Sequence, residues 1–175
     1  MPRLAVPAAI LAAALLSGCG DSTGAKFAPA CPQLALLADG ADLVRFNGPG
    51  RDVTDRVLEA RVVGVDAACR TGRNATVVAS LKLQADVARG PAARGRAAQV
   101  RYFVAVMDGE RVLDRREFVL DVAFAANVDA LRVSGGELEL RFPDAGDRGA
   151  AQYKIVVSLQ LTEEELAHNR RIARR

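Results

Sequence analysis

Few residues in this chain have side chains able to carry out chemistry, and they are scattered. Among 175 residues there is one histidine, His168, and there are three cysteines, Cys19, Cys31 and Cys69. Activating a serine or thiol needs a base within hydrogen-bond reach, and a lone histidine in a charged terminal segment is poor material for one. Ser80 and Lys82 stand two apart in an alternating segment, so they share a strand face; a Ser–Lys dyad is formally open there, but such alternating polar residues are usually just a solvated face. Asp39, Asp42, Asp52 and Asp55 bracket the turn Asn47-Gly48-Pro49-Gly50. Calcium would need about six to eight oxygens, and the spacing of these acids fits no known calcium loop, so turn capping and solvation are the simpler reading. A glycosidase pair drawn from the same acids meets the same objection, because the sequence sets no separation of two carboxylates across a cleft. The inventory predicts no enzyme, no cofactor and no metal.

The elements that would position these residues are strands. Period-two alternation puts every second side chain on one face. It is clearest in Tyr153, Ile155, Val157, Leu159 and Leu161, and recurs in Leu58 to Val62, Val77 to Ala85, Phe118 to Phe124 and Leu138 to Phe142. Val100, Tyr102, Val104 and Val106 alternate with residues that are also apolar, which suits a central strand covered on both sides. Asp108-Gly109 signals a tight hairpin into Arg111 to Phe124. Asn47 to Gly50, Ser134-Gly135-Gly136 and Asp144 to Gly149 are turn chemistry, and no helix follows them as a phosphate loop would require. Arg89 to Ala98 reads as an exposed basic link. Only the end is helical: Thr162 with Glu165 fits a capping box, acids fill the first turn, and arginines including Arg174 and Arg175 fill the last.

These patterns predict an all-β fold: an antiparallel sandwich of immunoglobulin or fibronectin type with about seven strands and a short C-terminal helix. A small barrel is the alternative. The chain is 50% hydrophobic and 26% charged, as folded chains are. A net charge of +3 with interspersed acids gives no electrostatic case for nucleic acid. Val78, Phe103, Met107, Val119 and Val156 are apolar at positions the alternation sends outward. Sharing one face, they would form a partner surface; the terminal helix lying over them is the alternative. Arg170 and Arg171 could add docking to anionic groups, or simply complement the helix dipole.

The amino terminus has one charge at Arg3, an apolar core from Leu4 to Leu16, and then Leu16-Ser17-Gly18-Cys19. It resembles a bacterial lipoprotein signal with its lipobox. The apolar run is too short for a spanning helix, which needs about 20 residues. The resemblance implies cleavage before Cys19, with acyl chains on its thiol and amine that bury enough methylenes for permanent attachment. It also implies the outer membrane in preference to the inner, because Gly20 and not an aspartate follows the cysteine. Residues 1–18 are then a signal peptide, 19–32 a lipidated flexible tether, 33–161 the sandwich and 162–175 the helix and tail. With Cys19 occupied, Cys31 and Cys69 form an even pair in a disulfide-permissive compartment, and a bond between them is expected; two buried thiols are the alternative.

Further features carry a wider resemblance. They are Cys31-Pro32 before an apolar run and Asp39, Leu43 to Phe46, Asp52 to Asp55, Cys69, Tyr102 to Val106, Leu161-Thr162, Glu164-Glu165-Leu166 and Asn169-Arg170. In these the chain is similar to a group of small uncharacterised lipoproteins of Gram-negative envelopes, which implies a type of protein and no mechanism. The expectation is a non-catalytic, lipid-anchored periplasmic sandwich that meets another envelope protein. A carrier or sensor of an apolar ligand is the second reading, and an unrecognised hydrolase the third.

Overall fold

A computed structural model describes residues 29–144 and 149–173. The leader, Cys19 and the tether up to residue 28 lie outside the described residues, as do Arg174, Arg175 and most of the turn after Asp144. The strands are β1 (Gln33–Leu36), β2 (Asp42–Phe46), β3 (Arg56–Thr71), β4 (Thr76–Arg89), β5 (Ala97–Asp108), β6 (Arg111–Ala123), β7 (Ala130–Ser134), β8 (Leu138–Pro143) and β9 (Tyr153–Leu159). One helix, α1 (Glu163–Ala173), closes the described chain. No helix among the described residues is long and apolar enough to cross a membrane.

The fold is an all-β sandwich. One sheet runs β1-β9-β5-β6; the other runs β2-β3-β4, with β7 and β8 both paired to β4. Because β1, β5, β6 and β9 form one sheet and the other strands the second, the chain changes sheet after β1, β4, β6 and β8. The sheets do not close into a barrel. Two departures from the expected form are informative. The sandwich is not purely antiparallel, since β1, at the edge of its sheet, lies parallel to β9. The described residues form nine strands where about seven are expected; the segment entering the domain forms β1 and β2, and the partner of β4 is broken into β7 and β8 at Gly135-Gly136-Glu137.

The core forms where the alternation requires. Leu58, Ala60 and Val62 of β3, Val77 to Val87 at alternate positions of β4, and Ile155, Val157 and Leu159 of β9 are all buried. Tyr102 stacks on Phe118 with ring centroids 5.1 Å apart, and burial pushes its phenol pKa up. The packing is close: the gap lined by Val65, Leu81, Tyr102 and Val157 holds only about 10 Å³. The β5–β6 hairpin turns one residue later than the dipeptide suggests. Its loop is Gly109-Glu110, with Gly109 at φ 57° taking the left-handed conformation.

The basic link after β4 is not a free connection. Arg96 donates to the carbonyls of Phe124, Ala125 and Val128, and Arg89 donates to those of Ala93 and Gly95, so two arginines clamp the loops at this end of the sandwich.

Cys31 and Cys69 are joined, with Cα atoms 6.0 Å apart. The bond ties the segment leading into β1, in one sheet, to β3 in the other. Closing a separation of 38 residues should stabilise the fold by about 4 kcal/mol through the unfolded state. Replacing both cysteines by serine is expected to lower the unfolding free energy in urea by about that amount, with the native near-ultraviolet dichroism retained.

Candidate functional site

The register that builds the core also builds a surface. Across β2, β3, β4 and β7 the inward row is Leu43, Ala60, Val87 and Leu131, and the neighbouring row is Asp42, Arg61, Asp86 and Arg132. That second row faces outward and alternates in sign from strand to strand. Arg61 Nε donates to Asp42 Oδ1. Arg132 grips Asp86 with two bonds, Nε at 2.7 Å and Nη2 at 2.9 Å, and these hold the Asp86 carboxyl below its usual range. The next outward row, Val44, Glu59, Ala88 and Ala130, is mostly small and apolar.

A wall rises beside this floor. Helix α1 has 11 residues, below the length at which an isolated helix is stable, so it must be held by the domain. Thr162 and Glu165 form the expected capping box: Glu165 N donates to Thr162 Oγ1 at 3.2 Å, and Thr162 N to Glu165 Oε2 at 2.8 Å. The carboxylate of Glu165 is buried, and its other oxygen accepts from Arg45 Nε of β2 at 3.0 Å. One turn on, the Asn169 amide donates to two main-chain carbonyls, Asp39 at 2.9 Å and Asp42 at 2.6 Å. Arg170 pairs with Asp39 at 3.0 Å, and the His168 ring meets Phe46 edge-on at 5.1 Å.

Between wall and floor lies a groove of about 780 Å³, within the range of ligand pockets. Its floor is the charged row and its apolar neighbours; Asn169, Ile172 and Ala173 of α1 and the 3-10 turn Ala38–Gly40 form its sides. Ile172 is 57% exposed, a large apolar side chain standing at the rim. The arrangement offers complementary charges and apolar contact, which suits recognition.

The acids singled out in the sequence are dispersed into structural work. Asp52 and Asp55 cap each other around the 3-10 turn Val53–Asp55, Asp42 engages Arg61, and Asp39 engages Arg170. Among the described residues, no three His, Cys, Asp or Glu side chains gather as a metal would need. Ser80 and Lys82 lie on the outer face of β4, opposite Glu139 and Asp66.

The five outward apolar residues do not all share one surface: Phe103, Met107, Val119 and Val156 lie on the outward side of the β1-β9-β5-β6 sheet, and Val78 lies on the other sheet. Val78 belongs to the β2-β3-β4 sheet and is buried, with Gly72 lying close against it. Phe103, Met107 and Val156 belong to the other sheet; Val156 is buried, Phe103 and Met107 are half-buried, and Val119 alone is exposed. Outward parity on two opposed sheets points in opposite directions, which is why the five cannot meet. Helix α1 does not cover them either; it packs on β2 and the 3-10 turn at Ala38. Arg170 and Arg171 sit on α1, the first committed to Asp39 and the second exposed. Sequence reasoning missed Arg45, Arg61, Asp86, Arg132 and Asn169. The outward parity of Arg61 and Asp86 was readable; their pairing across strands was not. No protein family, curated protein or solved structure matches the chain.

Two outcomes are expected. Asn169→Ala leaves two carbonyls without their donor and should cost about 1–3 kcal/mol, read as a lower urea midpoint and earlier proteolysis at α1. His168 is held below its ordinary value near 6.5, mainly by burial and then by the charges of Arg171, Arg51 and Arg56. Below that value the unfolded chain takes up the proton first, so stability falls as pH drops from about 6.5 through the folded-state value. The urea midpoint should therefore decline between pH 7.5 and pH 5.5, and His168→Asn should decline less.

Proposed function

We propose that this protein is a non-catalytic module of a bacterial envelope, moored through acyl chains on Cys19 to the periplasmic face of the outer membrane, and that the groove beside α1 receives another envelope protein. The groove carries the reading. Its charged floor, apolar rim and helix held by a buried carboxylate form a prepared surface, with no activated nucleophile or acid–base pair within it. The Cys31–Cys69 bond accords with an oxidising compartment. The leader resemblance supplies the anchor, and 157 residues after it suit one domain on a tether.

A carrier of a small apolar ligand is the second reading, favoured by the groove's volume and by the apolar row of Val44, Ala88 and Ala130. The tightly filled space between the sheets argues against a ligand held inside the sandwich. The two readings separate experimentally. A photo-crosslinking side chain at position 172 of the full chain, in its native host, should capture one discrete protein. Arg132→Glu should weaken that capture at least several-fold, and a crosslinker at exposed position 66, away from the groove, should not give it. Capture of no protein, together with an apolar molecule retained in native mass spectrometry, would move the assignment to the carrier. An intact mass showing Cys19 without acyl chains would remove the anchor.

A further inference from the structure

We propose that the outer face of the β1-β9-β5-β6 sheet rests on the lipid surface to which the chain is moored, so that the groove beside α1 points away from the bilayer. This rests on the reading of Cys19 as the acylated residue, and adds which side of the domain the lipid meets.

The registers across this sheet set its outward side chains in rows. Met107 of β5 stands between Lys154 of β9 and Val112 of β6, Ala105 between Val156 and Arg115, Phe103 between Ser158 and Glu117, and Arg101 beside Val119. An apolar stripe therefore crosses the face from Val112 and Met107, through Val156, Ala105 and Phe103, to Val119. Val112 and Val119 are 54% and 43% exposed, and Phe103 and Met107 are half-buried. A sheet face turned to water is ordinarily polar, and the outer face of the other sheet is so: it presents Asp66, Lys82, Asp86 and Glu139, all exposed.

Cations flank the stripe. Lys154 and Arg101 are exposed near its two ends, without an ion-pair partner among the described residues. The acids of the face are already held, Glu117 by Arg115 at 2.6 Å and Asp121 by Gln99 at 2.8 Å. The Arg115 guanidinium also lies over the Phe103 ring, 4.4 Å from its centroid. An apolar stripe with unpaired cations at its ends complements a surface of acyl chains and anionic phosphates, where long basic side chains reach to the headgroups and apolar ones dip beneath them.

Chain length supplies a second argument. Cys31 stands twelve residues after Cys19, a stretch that spans at most about 40 Å. That is roughly the length of β5, which has 12 residues at about 3.4 Å each. The Cys31–Cys69 bond fixes where this stretch meets the domain. From there the chain enters β1, the edge strand of the same sheet, where Gln33 lies beside Lys154 in the row of Met107 and Val112. The anchor thus joins the domain at a corner of the apolar face. The two sheets turn their outer faces in opposite directions, so lipid against this one leaves Asp42, Arg61, Asp86 and Arg132 toward the aqueous side.

The chain has no tryptophan, so a single introduced one reports from its own position. The full lipid-modified chain is reconstituted in phosphatidylethanolamine–phosphatidylglycerol vesicles that contain lipid brominated on its acyl chains, which quenches tryptophan on contact. Val112→Trp and Val119→Trp should each lose at least half their emission, and Lys82→Trp, outward on the other sheet, less than a tenth. Arg101→Glu with Lys154→Glu should at least halve the quenching at position 119. All the substituted side chains are exposed, and an unchanged urea midpoint identifies the folded variants. A chain that floats with the vesicles yet is quenched no more at 112 and 119 than at 82, or whose quenching ignores the charge reversal, would overturn the proposal and leave the anchor standing. A chain that does not float would remove the anchor itself, and this orientation with it.

Discussion

Register is the constraint on which the rest of this structure depends. Successive strand residues point to opposite faces, so the pairing that sends Leu43, Ala60, Val87 and Leu131 into the core must send Asp42, Arg61, Asp86 and Arg132 out as one row. A slip of one residue between β3 and β4 would turn over the row on one side of the junction, burying two of its charges, such as Asp86 and Arg132, and exposing their two apolar neighbours. Burying unpaired charge costs far more than any gain available on the surface. The core therefore guarantees the order of the charged floor, and the ion pairs there add little more than local rigidity, as exposed pairs generally do.

That register is rescued at one point. Between Thr71 and Gly64, β3 pairs with β4 so that Gly64 faces Gln84; a bulge at Val63 then shifts the pairing by one, and Arg61 faces Asp86. Without the extra residue Arg61 would lie opposite Val87. The apolar side of β3 changes parity at the same place, from Val65 and Cys69 on odd positions to Val62, Ala60 and Leu58 on even ones. The bulge is how one long strand keeps its apolar side on the core throughout.

How much was legible in the sequence follows from the distance over which each signal acts. Local signals were readable: the alternation of β3, β4, β5 and β9, the Gly109 hairpin, and the Thr162–Glu165 box were all visible within a few residues. The disulfide was legible from the even pair that remains once Cys19 is assigned to lipid. What depended on distant chain was hidden. The outward apolar residues were readable one by one, yet nothing local says that Val78 and Val119 stand on opposed sheets. Asn169 looked like one polar residue among several, because its partners are carbonyls 127 and 130 residues earlier. The strand β2 gave too short a run to show a period, and it carries Arg45 and Asp42, so the groove could not be foreseen.

The 3-10 turn at Ala38–Gly40 touches both halves of the molecule. On one side, Asp39 supplies a carbonyl to Asn169 and a carboxylate to Arg170. On the other, Gly40 lies so close to β9 that an added methyl would fall 1.9 Å from Ser158 Oγ. Positions 40 and 158 therefore share one fixed allotment of volume. Related sequences should exchange size between these two sites, a larger residue at one accompanied by a smaller at the other, and that covariation would mark the lineages in which the helix keeps this seat.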